Sequence, residues 1–250
     1  MMQGFRDGEL LYSKKNRVLT CLYDGSGQSR KAVEKTFADS RGFSVEWDIM
    51  QSLKGANIRI PELLDIDKEK ARIIYAYIAG ETLLSYLEKW EIEDEPLKNQ
   101  LVVESKTAIQ DPSCERIIQD LCDWLIDFYG SIKKITGESV ILGDIHLRNF
   151  IYSPGNGGIY GLDFEDCKHG TPETDIARLC VFILTYDPPY TKVKIRMAGN
   201  LLLRLSKGLA LDQTRLRSEM NRELAELKER RGCRVRFDIV EELLSFTTSV

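Results

Sequence analysis

Residues 140–179 read VILGDIHLRNFIYSPGNGGIYGLDFEDCKHGTPETDIARL and carry most of the structural information in this sequence. Two short apolar runs, residues 149–152 and 159–163, flank the segment 153–158. The flanked segment contains proline, asparagine and three glycines, all of which are strong turn formers. The pattern therefore predicts a β-hairpin with its turn at 153–158.

The register of this hairpin would bring polar side chains together at its open end. If Tyr152 pairs with Ile159, Asn149 lies across the hairpin from the residue that precedes Asp163. Opposed residues in such a ribbon lie about 5 Å apart, so an amide and a carboxylate could share a magnesium ion through their oxygen atoms. Asp144, five residues before Asn149, lies in the loop that leads to the same end.

The order D-x-x-x-x-N, hairpin, D-F resembles the catalytic and metal-binding segment of the protein-kinase-like superfamily. The sequence GDIHLRN, followed by GLDFED and GTPETDIARL, is similar to the motifs of the aminoglycoside phosphotransferase and choline kinase branch. The resemblance implies that Asp144 is the catalytic base, that Asn149 and Asp163 are ligands of Mg2+, and that ATP is the phosphoryl donor. Leu142 stands where the family usually has a histidine.

Two more residues of this segment are expected to support the catalytic loop. Asp175 precedes the apolar run 176–184, and its type and position predict a helix N-cap. The resemblance implies that the matching aspartate of the family also braces the loop. His146 falls on the histidine of the family's HxxN pattern, where we expect it to hold the loop in place.

The first third of the chain alternates short β-patterned runs with turn signals, and one helix-like run interrupts them. The predicted strands are residues 8–12, 17–23, 31–37, 62–66 and 71–78. The predicted helix is 43–53, and the Asp24-Gly25 pair favours a tight hairpin between the second and third strands. Antiparallel strands with a single helix form a small α+β lobe.

The rest of the chain is predominantly helical in its pattern. Residues 114–135 form a long apolar-periodic helix, and residues 192–250 are again helical. The acidic segment 91–111 between the helices is interpreted as an insertion or loop. We therefore expect an α+β bilobal protein-kinase-like fold, with an N-lobe at 1–80 and a C-lobe at 81–250.

Lys35 lies in the strand-like run KAVEKTF at 31–37, where alternation places it on one face with Val33 and Phe37. A lysine on a buried face needs an anionic partner. The resemblance implies that Lys35 contacts the nucleotide phosphates and that the helix residue Glu46 is its partner. The alternative is a lysine whose ammonium reaches the surface, beside an unrelated helix glutamate.

Other nucleotide contacts follow from the resemblance alone. The first hairpin turn, residues 12–16, lacks the glycines that allow a close backbone approach to phosphates. Antibiotic kinases use serine-containing turns at this place, so Ser13 and Lys14 are the candidates here. The hinge between the lobes implies backbone contacts to adenine near Ala76 and Ile78, and the sequence does not choose which residue bonds the base.

The composition of the 250 residues fits a single globular chain. Its hydrophobic content is 43% and its formal net charge is −4, which argues against nucleic acid as the main partner. The six cysteines include no CxxC pair, so we expect reduced thiols and a cytoplasmic protein. No apolar run is long enough for a membrane span or resembles a signal peptide. The oligomeric state stays open.

Three functions are compatible with these motifs. The first is an ATP-dependent kinase that phosphorylates a hydroxyl group of a small molecule. The second is an atypical protein kinase or lipopolysaccharide kinase, since the twelve residues from Asp163 to Asp175 (175 − 163) leave little room for a conventional activation segment. The third is a catalytically silent nucleotide-binding protein. Acidic residues at 91–95 would suit a cationic acceptor or form an ordinary solvated loop.

Overall fold

A computed structural model describes residues 7–11, 13–25, 27–93, 112–232 and 235–248 of the chain. Within them, the N-terminal part forms an antiparallel sheet in the strand order β1-β2-β3-β5-β4. The strands are β1 Leu10–Leu11, β2 Arg17–Gly25, β3 Gln28–Thr36, β4 Leu63–Asp67 and β5 Arg72–Ala76. Each lies within two or three residues of its predicted bounds, because the strand ends follow turn chemistry rather than alternation.

Helix α1, Ser40–Leu53, connects β3 to β4 and packs on the sheet. It begins three residues before the predicted start, because the Asp39 carboxylate accepts a hydrogen bond of 2.8 Å from the Gly42 amide and caps the first turn. The buried side of the helix includes Phe43, Met50 and Leu53, which pack into the hydrophobic core. The helix thereby positions Glu46, which is also buried, beneath the sheet.

The remaining elements form the helical lobe. They are β6 Glu81–Thr82, α2 Leu83–Glu93, α3 Pro112–Thr136, β7 Val140–Ile141, β8 Phe150–Ser153, β9 Gly158–Gly161, β10 Lys168–His169, α4 Pro172–Thr185, α5 Lys192–Gly208, α6 Gln213–Arg231 and α7 Phe237–Thr248. Residues 91–93 of the expected insertion belong to α2, and residues 94–111 lie outside the described residues.

Helix α3 is the centre of this lobe. The apolar positions that the sequence places on its inner face, Ile118, Leu121, Leu125, Phe128 and Ile132, are all fully buried. Removing such side chains from water supplies about 1.5–3 kcal/mol each. The Trp124 indole N–H donates a 2.8 Å hydrogen bond to the Arg59 carbonyl, which links α3 to the segment between α1 and β4.

The architecture confirms the predicted bilobal α+β fold, an antiparallel sheet with one helix followed by a helical lobe. The exact division at residue 80 stays a prediction. No helix in the described ranges has the length and apolarity that crossing a bilayer requires. The cytoplasmic location likewise stays a prediction.

Candidate active site

The hairpin of β8 and β9 has the predicted register. Tyr152 pairs with Ile159, and the Leu162 amide donates a 2.9 Å hydrogen bond to the Asn149 carbonyl beyond the last strand pair. Gly161 is required here because a Cβ atom at this position would clash with the Trp124 ring. The hairpin therefore delivers Asn149 to its open end, as the sequence predicts.

Asp163 does not continue the strand, and the predicted strand 159–163 is wrong at its last two residues. Strand β9 ends at Gly161, and Asp163 has a φ of 64° in the left-handed region. Non-glycine residues adopt this conformation infrequently, and alternation alone would not predict it. The turn sends the Asp163 carboxylate toward the β3 side of the cleft, where it meets Lys35.

The three residues with expected chemical roles share one cleft between the lobes. Asp144, Asn149 and Asp163 all line a cavity of about 470 Å³. The Asn149 side-chain amide donates a 2.9 Å hydrogen bond to the Asp144 carbonyl, which fixes the loop between them and leaves the Asn149 side-chain oxygen available to a cation. The Asp144 carboxylate is half exposed to the cleft. The individual roles of these residues stay predictions.

Asp175 holds the loop from below rather than capping a helix. Helix α4 has its N-cap at Thr171, so the predicted capping role of Asp175 is wrong. The buried carboxylate instead accepts hydrogen bonds from the Leu142 amide at 2.6 Å, the Gly143 amide at 3.1 Å and the Tyr129 hydroxyl at 2.8 Å. Burial raises the pKa of Asp175, and these donors oppose the rise.

The backbone at Gly143 explains why this loop needs glycine. Its φ is 79°, and a Cβ atom there would clash with the Asp166 carbonyl. The Gly143 carbonyl accepts a hydrogen bond from Arg178, whose guanidinium also contacts the buried Glu223 at 2.8 Å. Helices α4 and α6 thus fix the peptide immediately before Asp144.

Substituting Asp175 with alanine is expected to lower the free energy of unfolding by about 3 kcal/mol or more. The change leaves two buried amides and one hydroxyl without their acceptor, at about 1–3 kcal/mol for each unsatisfied group. Urea unfolding of the variant measures the loss. Tyr129→Phe, which removes one of the three donors, is the matched control and should cost only about 1 kcal/mol. A loss below 1 kcal/mol for Asp175→Ala would contradict the bracing role.

Lys35 is buried at the centre of an anionic cluster. Its Nζ lies 2.7 Å from a Glu46 carboxylate oxygen, 2.6 Å from Asp163 and 3.0 Å from Glu165. The predicted pairing with Glu46 is therefore present, and the ammonium does not reach the surface. Burial lowers the pKa of Lys35, but the three carboxylates outweigh it and the net pKa is raised. The Tyr75 hydroxyl donates a 2.5 Å bond to Glu46 and fixes it.

The turn between β1 and β2 reaches across the cleft to the segment after Asp163. Lys15 lies 3.0 Å from an Asp166 carboxylate oxygen. The Asn16 side-chain amide donates a hydrogen bond to Glu165, and the Asn16 backbone N–H donates a 3.0 Å bond to the Ser13 hydroxyl. Ser13 and Lys14, the expected phosphate-binding residues, line the cleft.

The expected hinge residues also line the cleft. Ala76 and Ile78 both border the cavity beside Tyr75. The Ala76 amide already donates a 2.8 Å bond to the Glu62 carbonyl, so a bond from this amide to adenine would have to replace an existing one. The adenine contact at Ala76 or Ile78 stays a prediction.

Several contacting residues were not assigned from the sequence. Glu165, Tyr75, Lys15 and Asn16 were missed as parts of the cluster. Glu165 has a recognisable signal, since it follows directly in the quoted GLDFED run. The other three are single polar residues in a strand or a turn, and only the tertiary structure brings them to Glu165, Asp166 and Glu46.

His146 lies half-buried beside the base candidate. Its Nε2 is 3.8 Å from an Asp144 carboxylate oxygen, and its ring lies 6.5 Å from the Phe182 ring. Burial lowers the pKa of His146, which keeps the imidazole mainly neutral near pH 7. A neutral ring fits the expected supporting role better than a charge partner for Asp144.

The donor set at the cleft suits a hard divalent cation. Asn149 and Asp163 offer oxygen atoms, which are the ligands that Mg2+ prefers. Carboxylate oxygens of Glu46, Asp163 and Glu165 also lie within 4.8 Å of one another. In the described part of the chain, these three acidic residues lie close enough together to hold a metal ion. The Lys35 ammonium already contacts each of them.

A family model described as the phosphotransferase enzyme family matches residues 119–217, which include the hairpin, Asp144, Asn149 and Asp163. No curated protein matches the chain. Among similar solved structures is the amicoumacin kinase hAmiN in complex with AMP-PNP, Ca2+ and Ami. It has 15% sequence identity and a TM-score of 0.48, with 96% of this chain and 86% of that chain covered.

Proposed function

Because a family model described as the phosphotransferase enzyme family matches residues 119–217, we propose that the chain transfers the γ-phosphoryl group of ATP to a hydroxyl group of a small molecule. One observation carries the proposal. Asp144, Asn149 and Asp163 line a single interlobe cleft, and the buried Lys35 ammonium contacts Asp163 within it. Phosphoryl transfer depends on positioning and charge stabilisation more than on covalent chemistry, and this cleft supplies both.

Asp144 orients the acceptor in this proposal. Its carboxylate accepts a hydrogen bond from the incoming hydroxyl and takes the proton as the new bond to phosphorus forms. The Asn149 contact to the Asp144 carbonyl and the Asp175 brace beneath the loop hold the carboxylate in place. Fixing the loop in this way lowers the entropic cost of reaching the reactive geometry.

The N-lobe holds the nucleotide. Lys35 binds phosphate oxygens, and Glu46 keeps the ammonium in position. Ser13 and Lys14 contribute from the turn over the cleft, and backbone groups near Ala76 and Ile78 contact adenine. Asn149 and Asp163 would hold Mg2+, which supplies charge neutralisation on the phosphates when it is bound.

A conventional protein kinase is disfavoured by the segment that follows Asp163. The chain returns directly from Phe164 to strand β10, which pairs with β7 through Lys168 and Ile141, and α4 begins at Pro172. This short, paired segment leaves little free backbone on which an extended peptide could dock. A small acceptor therefore suits the cleft better than a protein substrate.

The decisive test is a screen of a metabolite pool for ATP-dependent phosphorylation. Purified protein is incubated with the pool, Mg2+ and ATP labelled at the γ-position, and Asp144→Ala protein is run in parallel. Labelled small molecules that form only with the wild-type chain support the proposal. Label transferred to added protein instead supports the protein kinase alternative. Reproducible absence of transfer, with ATP binding intact, supports a silent nucleotide-binding protein.

Asp163→Asn is expected to weaken magnesium-dependent ATP binding by about tenfold or more. The substitution keeps the side chain's shape but removes the charge, and we expect a loss on the scale of a hydrogen bond to a charged group, about 1.5–3 kcal/mol, where 1.4 kcal/mol is about tenfold. Calorimetric titration of ATP with and without Mg2+ measures the effect. Asp127→Asn, an exposed change on α3, is the control. Equal enhancement by Mg2+ in Asp163→Asn and wild type would rule out the metal role of Asp163.

A further inference from the structure

The helical lobe contributes one wall of the cleft, and this wall carries two arginines. Beside Asp144, this wall is lined by His146, Arg148, Phe182, Tyr186 and Arg230. We refer to these five residues as the acceptor wall. They belong to the helical lobe and border the same cavity as Asp144, so an acceptor that reaches Asp144 can contact them.

The acidic residues of the cleft are already engaged. Those that line it in the described part of the chain are Glu46, Asp144, Asp163, Glu165 and Asp166. Three of them contact the Lys35 ammonium, and Asp166 contacts Lys15. Only Asp144 stays without a lysine or arginine partner, and it is the proposed base. Apart from this base, no carboxylate in the described lining is left to bind a cationic acceptor.

The arginines of the acceptor wall are in the opposite situation. Arg148 is exposed, and no carboxylate of the described residues lies within ion-pair distance of it. Arg230 is also exposed; its Nε donates a 3.3 Å hydrogen bond to the Glu226 carbonyl, again with no carboxylate partner in the described ranges. Both residues line the cleft, and their guanidinium groups have donors available for an anion.

The position of Arg148 is set by the loop rather than by chance. It lies in the 3-10 turn Leu147–Asn149, in which Leu147 is fully buried and anchors the turn. Arg148, in contrast, is exposed and directly precedes Asn149. Arg148 is thus held within a few residues of Asp144, so a group bound to it would lie close to the transferred phosphoryl group.

Aromatic residues complete the wall. Phe182 lies in the last turn of α4, Tyr186 is the C-cap of that helix, and both residues line the cleft. Rings in this arrangement give the carbon skeleton of a small polyol or sugar an apolar surface, while the arginines bind a charged substituent. The wall combines a flat surface with fixed positive charge.

We propose that the acceptor is an anionic hydroxyl compound whose phosphate or carboxylate group binds Arg148 and Arg230. The inference rests on the proposed function. Arginine's planar fork matches both anions through paired hydrogen bonds. In the reaction, the bond between the γ-phosphorus and the bridging oxygen breaks and leaves ADP, a bond to the acceptor oxygen forms, and the hydroxyl proton passes to Asp144.

Separating the metabolite extract by charge tests this inference directly. An extract is divided by ion exchange into anionic, neutral and cationic fractions, and each is assayed for transfer of labelled phosphate from ATP. Transfer in the anionic fraction alone is expected. Treating that fraction with alkaline phosphatase distinguishes a phosphate-bearing acceptor, which is lost, from a carboxylate-bearing one, which persists.

The outcomes separate this inference from the proposed function. Transfer confined to the neutral or cationic fraction overturns the anionic acceptor and leaves the phosphotransferase proposal standing. Transfer in no fraction overturns both.

Variants locate the binding site of the anion. Arg148→Gln and Arg230→Gln are each expected to raise KM for the anionic acceptor by about tenfold or more, the scale of a lost charge-assisted hydrogen bond. KM for ATP and kcat should change little. Lys228→Gln removes the same charge from an exposed position of α6 outside the cleft lining and should leave all three constants unchanged. A rise in KM for ATP instead of the acceptor would assign the arginines to the nucleotide and overturn the inference.

Discussion

Asp144→Ala is expected to lower kcat by about 10²–10⁴-fold, the range that a positioned general base contributes. The carboxylate lies at the cleft, half exposed, while the backbone around it is fixed by Asn149 on one side and by the Asp175 brace on the other. Removing the side chain beyond Cβ leaves these backbone contacts in place. The nucleotide contacts proposed for Lys35 lie on the opposite lobe, so ATP affinity should change by less than about threefold.

Two measurements test this prediction, and either of them can contradict it. Single-turnover transfer with saturating acceptor isolates the chemical step from product release, and fluorescence titration of an ATP analogue reports nucleotide binding. Asp127→Asn controls for the loss of one negative charge on the same lobe. If Asp144→Ala retained wild-type kcat with an identified acceptor, the assignment of the base would be wrong. If it lost ATP binding as well, its role would be in folding or nucleotide contact.

The sequence predicted the half of the site that local rules determine. The turn residues at 153–158 and the pairing of Tyr152 with Ile159 follow from turn chemistry and strand alternation, and they place Asn149 correctly. Lys35 was predicted to need an anionic partner because alternation put it on an apolar face, and Glu46 is that partner. Patterns with a period of two or 3.6 residues carry this information directly.

The other half depends on tertiary contacts that no short pattern encodes. The left-handed turn at Asp163 breaks strand alternation and delivers the carboxylate to Lys35. Asp175 appeared to be a helix cap because its residue type is common at that position, yet burial against Leu142 gives it a different role. That Arg148 and Arg230 have no carboxylate partner among the described residues emerges only in three dimensions, where the cleft carboxylates other than Asp144 pair with Lys35 and Lys15.

Lys35→Met should abolish transfer and also destabilise the folded protein by about 3–5 kcal/mol, the cost of leaving buried charges uncompensated. The substitution keeps the length of the side chain but removes the cation from between Glu46, Asp163 and Glu165, whose oxygens lie within 4.8 Å of one another. Burial already raises the pKa of Glu46. Without the ammonium, mutual repulsion raises the pKa of these carboxylates further above their unfolded values.

The sign of the pH dependence follows from that rise. Acids with a higher pKa in the folded state bind more protons when folded, so the deficit of the variant is largest above the raised folded-state pKa and shrinks as the pH falls from 7 toward 5, in the direction of the unfolded glutamate pKa of 4.5. Thermal unfolding of wild type and Lys35→Met at pH 7 and pH 5 measures it. A deficit that is equal at both values would contradict the charge argument.

Added Mg2+ gives a second, independent readout for Lys35→Met. A cation that binds only the folded cluster stabilises the folded protein by RT ln(1 + [L]/Kd), which is about 2.7 kcal/mol when the cation concentration is 100 times Kd. Magnesium should therefore raise the Tm of Lys35→Met more than that of wild type, where the ammonium already occupies the cluster. The double variant Lys35→Met with Glu46→Gln has one negative charge fewer, so it should be more stable than Lys35→Met alone and respond less to magnesium. Identical responses in all three proteins would show that the loss of stability comes from packing rather than from charge.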